Sequence, residues 1–331
     1  MILQSYKTTN NTDNQIENSI DQFRSDVLEG LRSTPKMLHS KYFYDKIGDS
    51  LFQKIMAMPE YYLTNCEMDI FQNRTNDLAE IILERDTTFD LIELGAGDGT
   101  KSAYLLQHLL AREANFTYMP IDISANILTV LENKLNEDLP ELNITSLQGD
   151  YFDMLEKATT LSSRRKVVLF LGSNIGNMEK EEALAFCKSL HNQLSAGDIV
   201  IMGFDLKKNP QIILDAYNDK SGITAAFNLN LLSRINRELG ADFISENFQH
   251  YENYNPLNGD CRSYLISLEN QSVTINGEVF HFEKDEVISM ELSQKYSLEE
   301  CEFLAKSSGF TPLKNIMDSK SWFTDMAWLV V

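Results

Sequence analysis

Basic residues are scarce in this chain. Its 331 residues include 29 lysines and arginines against 49 aspartates and glutamates, which gives a formal net charge of −20. Proteins that bind nucleic acid or anionic membranes need clustered positive charge, so this balance argues against both ligands. A small-molecule substrate fits better, and the sequence identifies no protein partner.

Cysteine is also sparse, and the four that occur are far apart. Cys66, Cys187, Cys261 and Cys301 contain no C-x-x-C pair, so we expect neither a zinc site nor a disulfide framework. The five histidines are equally scattered, and no metal site is predicted from them. Free buried thiols are typical of a reducing compartment, and the cytoplasm is the predicted location.

Long apolar runs are absent. No segment approaches the roughly 20 apolar residues that a membrane-spanning helix needs, and the first residues lack the basic-then-apolar pattern of a signal peptide. The composition is nevertheless 43% hydrophobic, which suits one large domain or two closely joined ones with a substantial core.

One stretch, FDLIELGAGDGTK at residues 89–101, has the pattern of a ligand-binding turn. Residues 89–94 predict a buried parallel strand, and the glycines that follow predict a sharp turn into a helix. The dinucleotide fingerprint G-x-G-x-x-G would need glycine at Thr100, so a nicotinamide cofactor is disfavoured. From this stretch alone, an ordinary strand-to-helix turn that binds no ligand remains an alternative.

Strand-like and helical patterns alternate from residue 89 to 205, which predicts a doubly wound α/β sheet. Asp122, Asp150 and Asn177 each follow a predicted strand, at the edge where such sheets bind ligands. The Asp122 carboxylate would accept hydrogen bonds from ribose hydroxyls, and Asp150 suits an adenine amino group. The alternative for Asp122 is a purely structural role, as a cap at the end of the strand. Together with the glycine turn, these strand-end residues favour S-adenosylmethionine as the ligand.

The alternation stops between residues 206 and 294, where short strand-like runs predict an inserted lobe with an antiparallel sheet. The predicted methyltransferase domain, which binds S-adenosylmethionine, comprises residues 66–207 plus 295–331. The predicted substrate-binding lobe comprises residues 15–65 plus 208–294, and residues 1–14 are expected to form a flexible tail.

Seven motifs, in one order from about residue 20 onward, resemble the ergothioneine-pathway histidine Nα-methyltransferases, which depend on S-adenosylmethionine. They are KYFYD (41–45), PEYY (59–62), ELGAG (93–97), FLGSNIGN (170–177), GITAAFN (222–228), NRELGADF (236–243) and ELS (291–293). The resemblance implies a class I methyltransferase fold with a Rossmann-like sheet and an inserted α+β substrate-binding lobe. It also implies transfer of three methyl groups to the α-amine of free histidine, giving hercynine.

The resemblance further assigns roles to individual residues. For the methyl donor it implies Gly95, Lys101, Asp122 and Asp150. The predicted donor-binding set also includes Gly97 of the glycine turn and Tyr151. For the amino acid it implies Tyr61, Tyr217 and Asn177 at the carboxylate and amine, and Glu291 with Ser293 at the imidazole. Tyr44 would lie beside the amine, so Tyr44 and Asn177 are the predicted catalytic residues.

Two positions depart from the family pattern. Ser263 stands where the family has a methionine against the imidazole, and Asn174 stands where the family has threonine. A smaller polar residue at 263 would enlarge or wet the pocket. Methylation of another amino acid, such as tryptophan or a substituted histidine, therefore remains open, as does a non-catalytic ligand-binding protein of the same fold.

Overall fold

The computed structural model describes the backbone of residues 7–331 and the side chains of residues 20–331. Part of the predicted flexible tail, residues 1–6, lies outside the described residues, whereas residues 7–14 belong to the first helix. Within the described chain the α-helices are α1 (Lys7–Arg32), α2 (Lys46–Met56), α3 (Tyr62–Asn73), α4 (Thr75–Leu83), α5 (Ser102–Ala111), α6 (Ala125–Asp138), α7 (Tyr151–Leu161), α8 (Lys180–Asn192), α9 (Pro210–Tyr217), α10 (Ile223–Leu239) and α11 (Leu298–Ser307).

The strands are short to medium in length. They are β1 (Lys36–Met37), β2 (Thr88–Leu94), β3 (Asn115–Asp122), β4 (Asn143–Ile144), β5 (Leu147–Gln148), β6 (Arg165–Phe170), β7 (Ile199–Asp205), β8 (Phe248–Tyr254), β9 (Asp260–Ser267), β10 (Gln271–Ile275), β11 (Glu278–Phe282), β12 (Val287–Gln294), β13 (Phe310–Met317) and β14 (Phe323–Val330). The chain divides into two compact units. The first unit comprises the described chain up to residue 61 with residues 209–255 and 260–292; the second unit comprises residues 62–208, 256–259 and 293–331.

The second unit is built on an eight-stranded sheet. Its order is β13-β14-β7-β6-β2-β3-β4, and β5 also pairs with β3 at that edge. β2 pairs in parallel with both β3 and β6, whereas β14 is antiparallel to β7 and β13. The strand order therefore reverses at β2, and a doubly wound sheet binds ligands at the carboxyl ends of the strands beside such a reversal.

The central strands of this sheet are covered on both faces. Every residue of β7 and β14 is buried, and so is every residue of β2 after Thr88. Continuous apolar runs are typical of parallel strands with helices on both sides, because neither face meets water. The fold class predicted from the sequence, an α/β protein with a doubly wound sheet, is confirmed.

The first unit has a separate four-stranded sheet, in the order β1-β12-β9-β8, and a hairpin of β10 and β11. β8 and β9 are antiparallel, and their inward residues alternate with outward ones. The core of this unit includes Phe23, Val27 and Leu31 of α1 and Phe227 and Leu231 of α10. The functions predicted for the two parts of the chain stay predictions.

Three segments differ from what their sequence patterns indicate. The pattern of residues 65–84 predicts one helix, but the chain forms two, because Arg74 adopts a non-helical backbone between α3 and α4. The pattern of residues 143–148 predicts one strand, but the chain forms two short strands, β4 and β5. β8 was not predicted, since polar side chains occupy two of its inward positions, His250 and Glu252.

No helix in the described part of the chain combines the length and apolarity needed to cross a membrane.

Candidate functional site

The glycine turn after β2 is held against the end of β3. The backbone N–H of Gly95 donates to the carbonyl of Ile121 at 2.8 Å, and Gly95, Gly97 and Gly99 have φ values of 71°, 55° and 65°. Side chains other than glycine rarely adopt this left-handed region. A Cβ at Gly95 would lie 2.7 Å from the Tyr151 hydroxyl, whereas a Cβ at Gly97 would meet nothing within 4 Å. The turn therefore leaves open space beside Gly97.

Asp122, the last residue of β3, faces this turn. Its Oδ2 accepts a hydrogen bond from the backbone N–H of Gly97 at 3.2 Å, and its Oδ1 accepts one from Ser124 at 2.9 Å. The strand-end cap considered from the sequence is thus present. Each carboxylate oxygen has two lone pairs, so Asp122 keeps the capacity to accept further hydrogen bonds from a ligand.

Asp150 and Tyr151 lie at the start of α7. Asp150 is exposed and caps the helix, since its Oδ1 accepts from the backbone N–H of Phe152 at 3.0 Å. Burial, together with the negative charges of Asp122 and Asp150, raises the pKa of Tyr151 to about 12. Tyr151 therefore keeps its proton at neutral pH and presents a hydroxyl over the glycine turn.

Lys101 is held by a residue that sequence analysis missed. Its ammonium forms an ion pair with Glu67 of α3, a side chain that is 1% exposed. Burial alone would lower the pKa of Lys101, but Glu67, with smaller contributions from Glu93 and Asp325, outweighs burial and raises that pKa. Glu67 Oε1 also accepts from the backbone N–H of Gly172 at 2.7 Å, so one carboxylate joins Lys101 to the loop after β6.

A second buried carboxyl anchors the other side of the turn. Glu93 of β2 accepts hydrogen bonds from the hydroxyls of Ser102, at 2.6 Å, and Tyr118, at 2.5 Å. Burial raises the pKa of Glu93, and these two hydrogen bonds oppose that rise. Because Ser102 is the first residue of α5, Glu93 ties the beginning of that helix to the sheet.

The loop after β6 contains the predicted residue Asn177. Residues Asn174–Asn177 form a 3-10 turn, and Ser173 before it has a left-handed backbone with φ of 56°. The hydroxyl of Ser173 accepts from the backbone N–H of Asp205 at 3.0 Å, which fixes the turn to β7. Asn177 itself is exposed.

In the first unit, three predicted tyrosines lie along one row of aromatic rings. Tyr61 and Tyr217 meet edge to face with ring centroids 6.0 Å apart. Phe52 packs between Tyr61, at 6.4 Å, and Tyr44, at 5.3 Å. Tyr217 is buried and Tyr44 is 43% exposed, so the row runs from the interior of this unit to its surface.

The remaining predicted residues lie on strands. Ser263 is buried in β9, and Glu291 is half-buried in β12, the neighbouring strand. Ser293 belongs to the second unit, where its hydroxyl accepts from the ammonium of Lys295 at 2.7 Å. Among the described residues, no group of three His, Cys, Asp or Glu side chains is placed to hold a metal ion.

Comparison with known proteins identifies the family. A family model described as histidine-specific, S-adenosylmethionine-dependent methyltransferase matches residues 23–330. The chain belongs to this family. Histidine-specific methyltransferase membership confirms the resemblance carried by the seven sequence motifs, and it makes this protein an S-adenosylmethionine-dependent methyltransferase.

Curated relatives of this methyltransferase include proteins named for two different amino acids. It is 36% identical to the histidine N-alpha-methyltransferase of Mycolicibacterium smegmatis, over 72% of this chain and 73% of that protein. It is 32% identical to the protein of the same name from Mycobacterium tuberculosis, over 92% of this chain and 91% of that protein. It is also 29% identical to the L-tryptophan methyltransferase of Psilocybe serbica, over 92% of each chain.

Proposed function

We propose that this methyltransferase transfers methyl groups from S-adenosylmethionine to the α-amine of free histidine, three in succession, giving trimethylhistidine (hercynine). The observation that carries the proposal is the match to the mycobacterial histidine N-alpha-methyltransferase over nine-tenths of both chains. Of the seven motifs, ELGAG and FLGSNIGN lie at the ligand-binding edge of the sheet, and KYFYD and PEYY supply Tyr44 and Tyr61 of the aromatic row, which supports the proposal further.

The chain's own residues fit the methyl donor. The open space at Gly97 admits a ligand close to the backbone, and we assign Asp122 to the ribose hydroxyls and Asp150 to the adenine. Gly95 and Tyr151 would shape the glycine turn beside the bound methyl donor, and Lys101 would hold the donor's carboxylate. When bound, S-adenosylmethionine supplies an electrophilic methyl group.

The acceptor must offer a neutral amine, because methyl transfer moves positive charge from sulfur to nitrogen. Tyr61, Tyr217 and Asn177 are assigned to the amino acid's carboxylate and amine, since hydroxyl and amide groups orient an amine without ionising. Fixing the nucleophile in line with the methyl group can lower the barrier by about 7–11 kcal/mol. The exposed ring of Tyr44 would favour the growing methylammonium through a cation–π interaction.

Imidazole selection is assigned to Glu291 and Ser293. A carboxylate that accepts a ring N–H would favour histidine over amino acids with hydrocarbon side chains. Tryptophan is the second candidate, because a tryptophan methyltransferase covers nine-tenths of this chain and Ser263 replaces a larger residue.

Calorimetry with a panel of free amino acids tests the assignment, with S-adenosylhomocysteine present so that no turnover occurs. We expect histidine to bind at least about tenfold more tightly than tryptophan, and Glu291→Ala to weaken histidine by about tenfold or more. Glu269→Ala, at a surface position of the first unit, is the matched control. Equal affinity of wild type and Glu291→Ala for histidine would refute the assignment of Glu291 to the imidazole.

A further inference from the structure

The inward face of β8 and β9 carries four polar side chains in the first unit: His250, Glu252, Cys261 and Ser263. We call them the β8–β9 polar cluster. Glu252 lies directly opposite Ser263 in the antiparallel register, and all four side chains are at most 9% exposed. On the same face, Phe248 and Leu265 belong to the apolar core, so the cluster lies directly beside apolar side chains.

Glu252 lies close to two other members of the cluster. Glu252 Oε1 accepts from the thiol of Cys261 at 3.0 Å. Glu252 Oε2 lies 3.7 Å from His250 Nε2, which is beyond hydrogen-bond distance. Burial lowers the pKa of His250 to about 4, with Asp219 opposing that shift only in part. His250 is therefore neutral near pH 7 and forms no ion pair with Glu252.

Ser263 Oγ and His250 Nε2 have no hydrogen-bond partner among the described residues. Ser267, four residues along the same face of β9, behaves differently. Its hydroxyl donates to the carbonyl of Glu269 at 2.9 Å and accepts from Gln271 at 2.6 Å. The hydroxyl of Ser267, a structural serine on this strand, thus has hydrogen-bond partners, whereas the buried hydroxyl of Ser263 has none among the described residues. Buried polar groups without partners are unfavourable and are seldom kept unless something else satisfies them.

We propose that the β8–β9 polar cluster binds the side chain of the amino-acid substrate, with Glu252 and Ser263 as specificity-determining residues for a ring that carries polar nitrogens. This inference rests on the proposed function, together with the family resemblance, which implies that Ser263 lies against the side chain of the substrate. Since Glu291 is assigned to one ring N–H, the cluster contacts the other ring nitrogen: the Ser263 hydroxyl donates to it in a neutral imidazole, and Glu252 accepts its N–H in a protonated one.

The chemistry of the cluster separates the two candidate substrates. Imidazole is a small ring whose two edge nitrogens can both form hydrogen bonds with a polar surface such as the cluster. Indole has one N–H and a larger hydrocarbon surface, so it would bury carbon against the cluster and leave the Ser263 hydroxyl without a partner. The cluster therefore selects histidine over tryptophan even though a small residue occupies position 263.

A pair of serine variants tests this. Ser263→Ala removes a hydroxyl that has no partner in the described protein, so we expect an unchanged or higher Tm and a KM for histidine raised by about fivefold. Ser267→Ala removes two structural hydrogen bonds, so we expect a lower Tm and an unchanged KM. The opposite pattern, a lower Tm with an unchanged KM for Ser263→Ala, overturns the proposal.

Glu252→Gln is the second variant, with Glu246→Gln in the exposed turn before β8 as its matched control. We expect only Glu252→Gln to lower the ratio of kcat/KM for histidine to that for tryptophan, by about tenfold. An unchanged ratio in folded Glu252→Gln protein overturns the role of Glu252. If Glu252→Gln does not fold, the Ser263→Ala result decides.

The same experiment separates failure of this inference from failure of the proposed function. Wild-type protein that methylates neither amino acid refutes both. Wild-type protein that methylates histidine, with a KM unchanged by Ser263→Ala, refutes the inference and leaves the proposed function intact.

Discussion

Replacing Asp122 by asparagine removes one negative charge from the end of β3 and keeps the shape of the side chain. A hydrogen bond to a charged group contributes about 1.5–3 kcal/mol, against about 0.5–1.5 kcal/mol for a neutral pair. If Asp122 holds two ribose hydroxyls, the substitution should weaken S-adenosylmethionine by about 2–3 kcal/mol, or about 30- to 150-fold in Kd.

The unliganded protein should change much less. Asp122 accepts from the backbone N–H groups of Gly97 and Ser124 through different oxygens, and asparagine keeps one of these two bonds. We therefore expect the free energy of unfolding to fall by about 0.5–1.5 kcal/mol. A large loss of affinity with a small loss of stability distinguishes ligand binding from a strand-end cap.

Isothermal titration calorimetry of wild type and variant with S-adenosylmethionine measures the first quantity. Asp98→Asn is the matched control, because Asp98 lies in the same turn, is exposed, and bonds only the backbone N–H of Thr100 among the contacts described. We expect its Kd to stay within about threefold of wild type. An Asp122→Asn Kd that also stays within that range would refute the assignment of Asp122 to the ribose.

Two further predictions concern buried charge. Glu67→Gln keeps an oxygen for the Gly172 backbone but leaves the Lys101 ammonium without its partner, so urea titration should show a free energy of unfolding lower by about 1.5–3 kcal/mol; an unchanged value contradicts the ion pair. The pKa of His250 is about 4 in the folded chain against 6.5 for the free side chain, so the unfolded chain takes up the proton first as pH falls. The stability contributed by neutral His250 is therefore complete above about pH 6.5 and is lost as the pH falls toward 4. Between these two pH values the free energy of unfolding of the wild type should fall by about 3 kcal/mol more than that of His250→Gln. Parallel plots of unfolding free energy against pH for the two proteins would contradict this.

The donor side of the site is the part most open to prediction from sequence. A buried strand, a glycine turn and an acid after the next strand are local signals, and the parallel sheet brings them together at one edge. Gly97 and Asp122 are indeed hydrogen-bonded to each other. The ligand-binding roles of all the predicted site residues, Asp122 included, stay predictions.

Other features could not be predicted because they depend on distant contacts. Glu67 is separated from Lys101 by 34 residues and from Gly172 by 105, and nothing in the helix that carries Glu67 marks it as a buried acid. β8 was missed for a different reason, since His250 and Glu252 break the apolar alternation that identifies a half-buried strand. The residues that hide β8 from sequence analysis are the ones we propose for substrate selection.

Mass spectrometry of free histidine incubated with the protein and S-adenosylmethionine tests the central claim most directly. We predict successive products that carry one, two and three added methyl groups, all on the α-amine, with trimethylhistidine as the end point. A parallel incubation with tryptophan should give far slower methylation. Bound S-adenosylmethionine with no methyl gain on histidine, or faster methylation of tryptophan than of histidine, would contradict the proposed function.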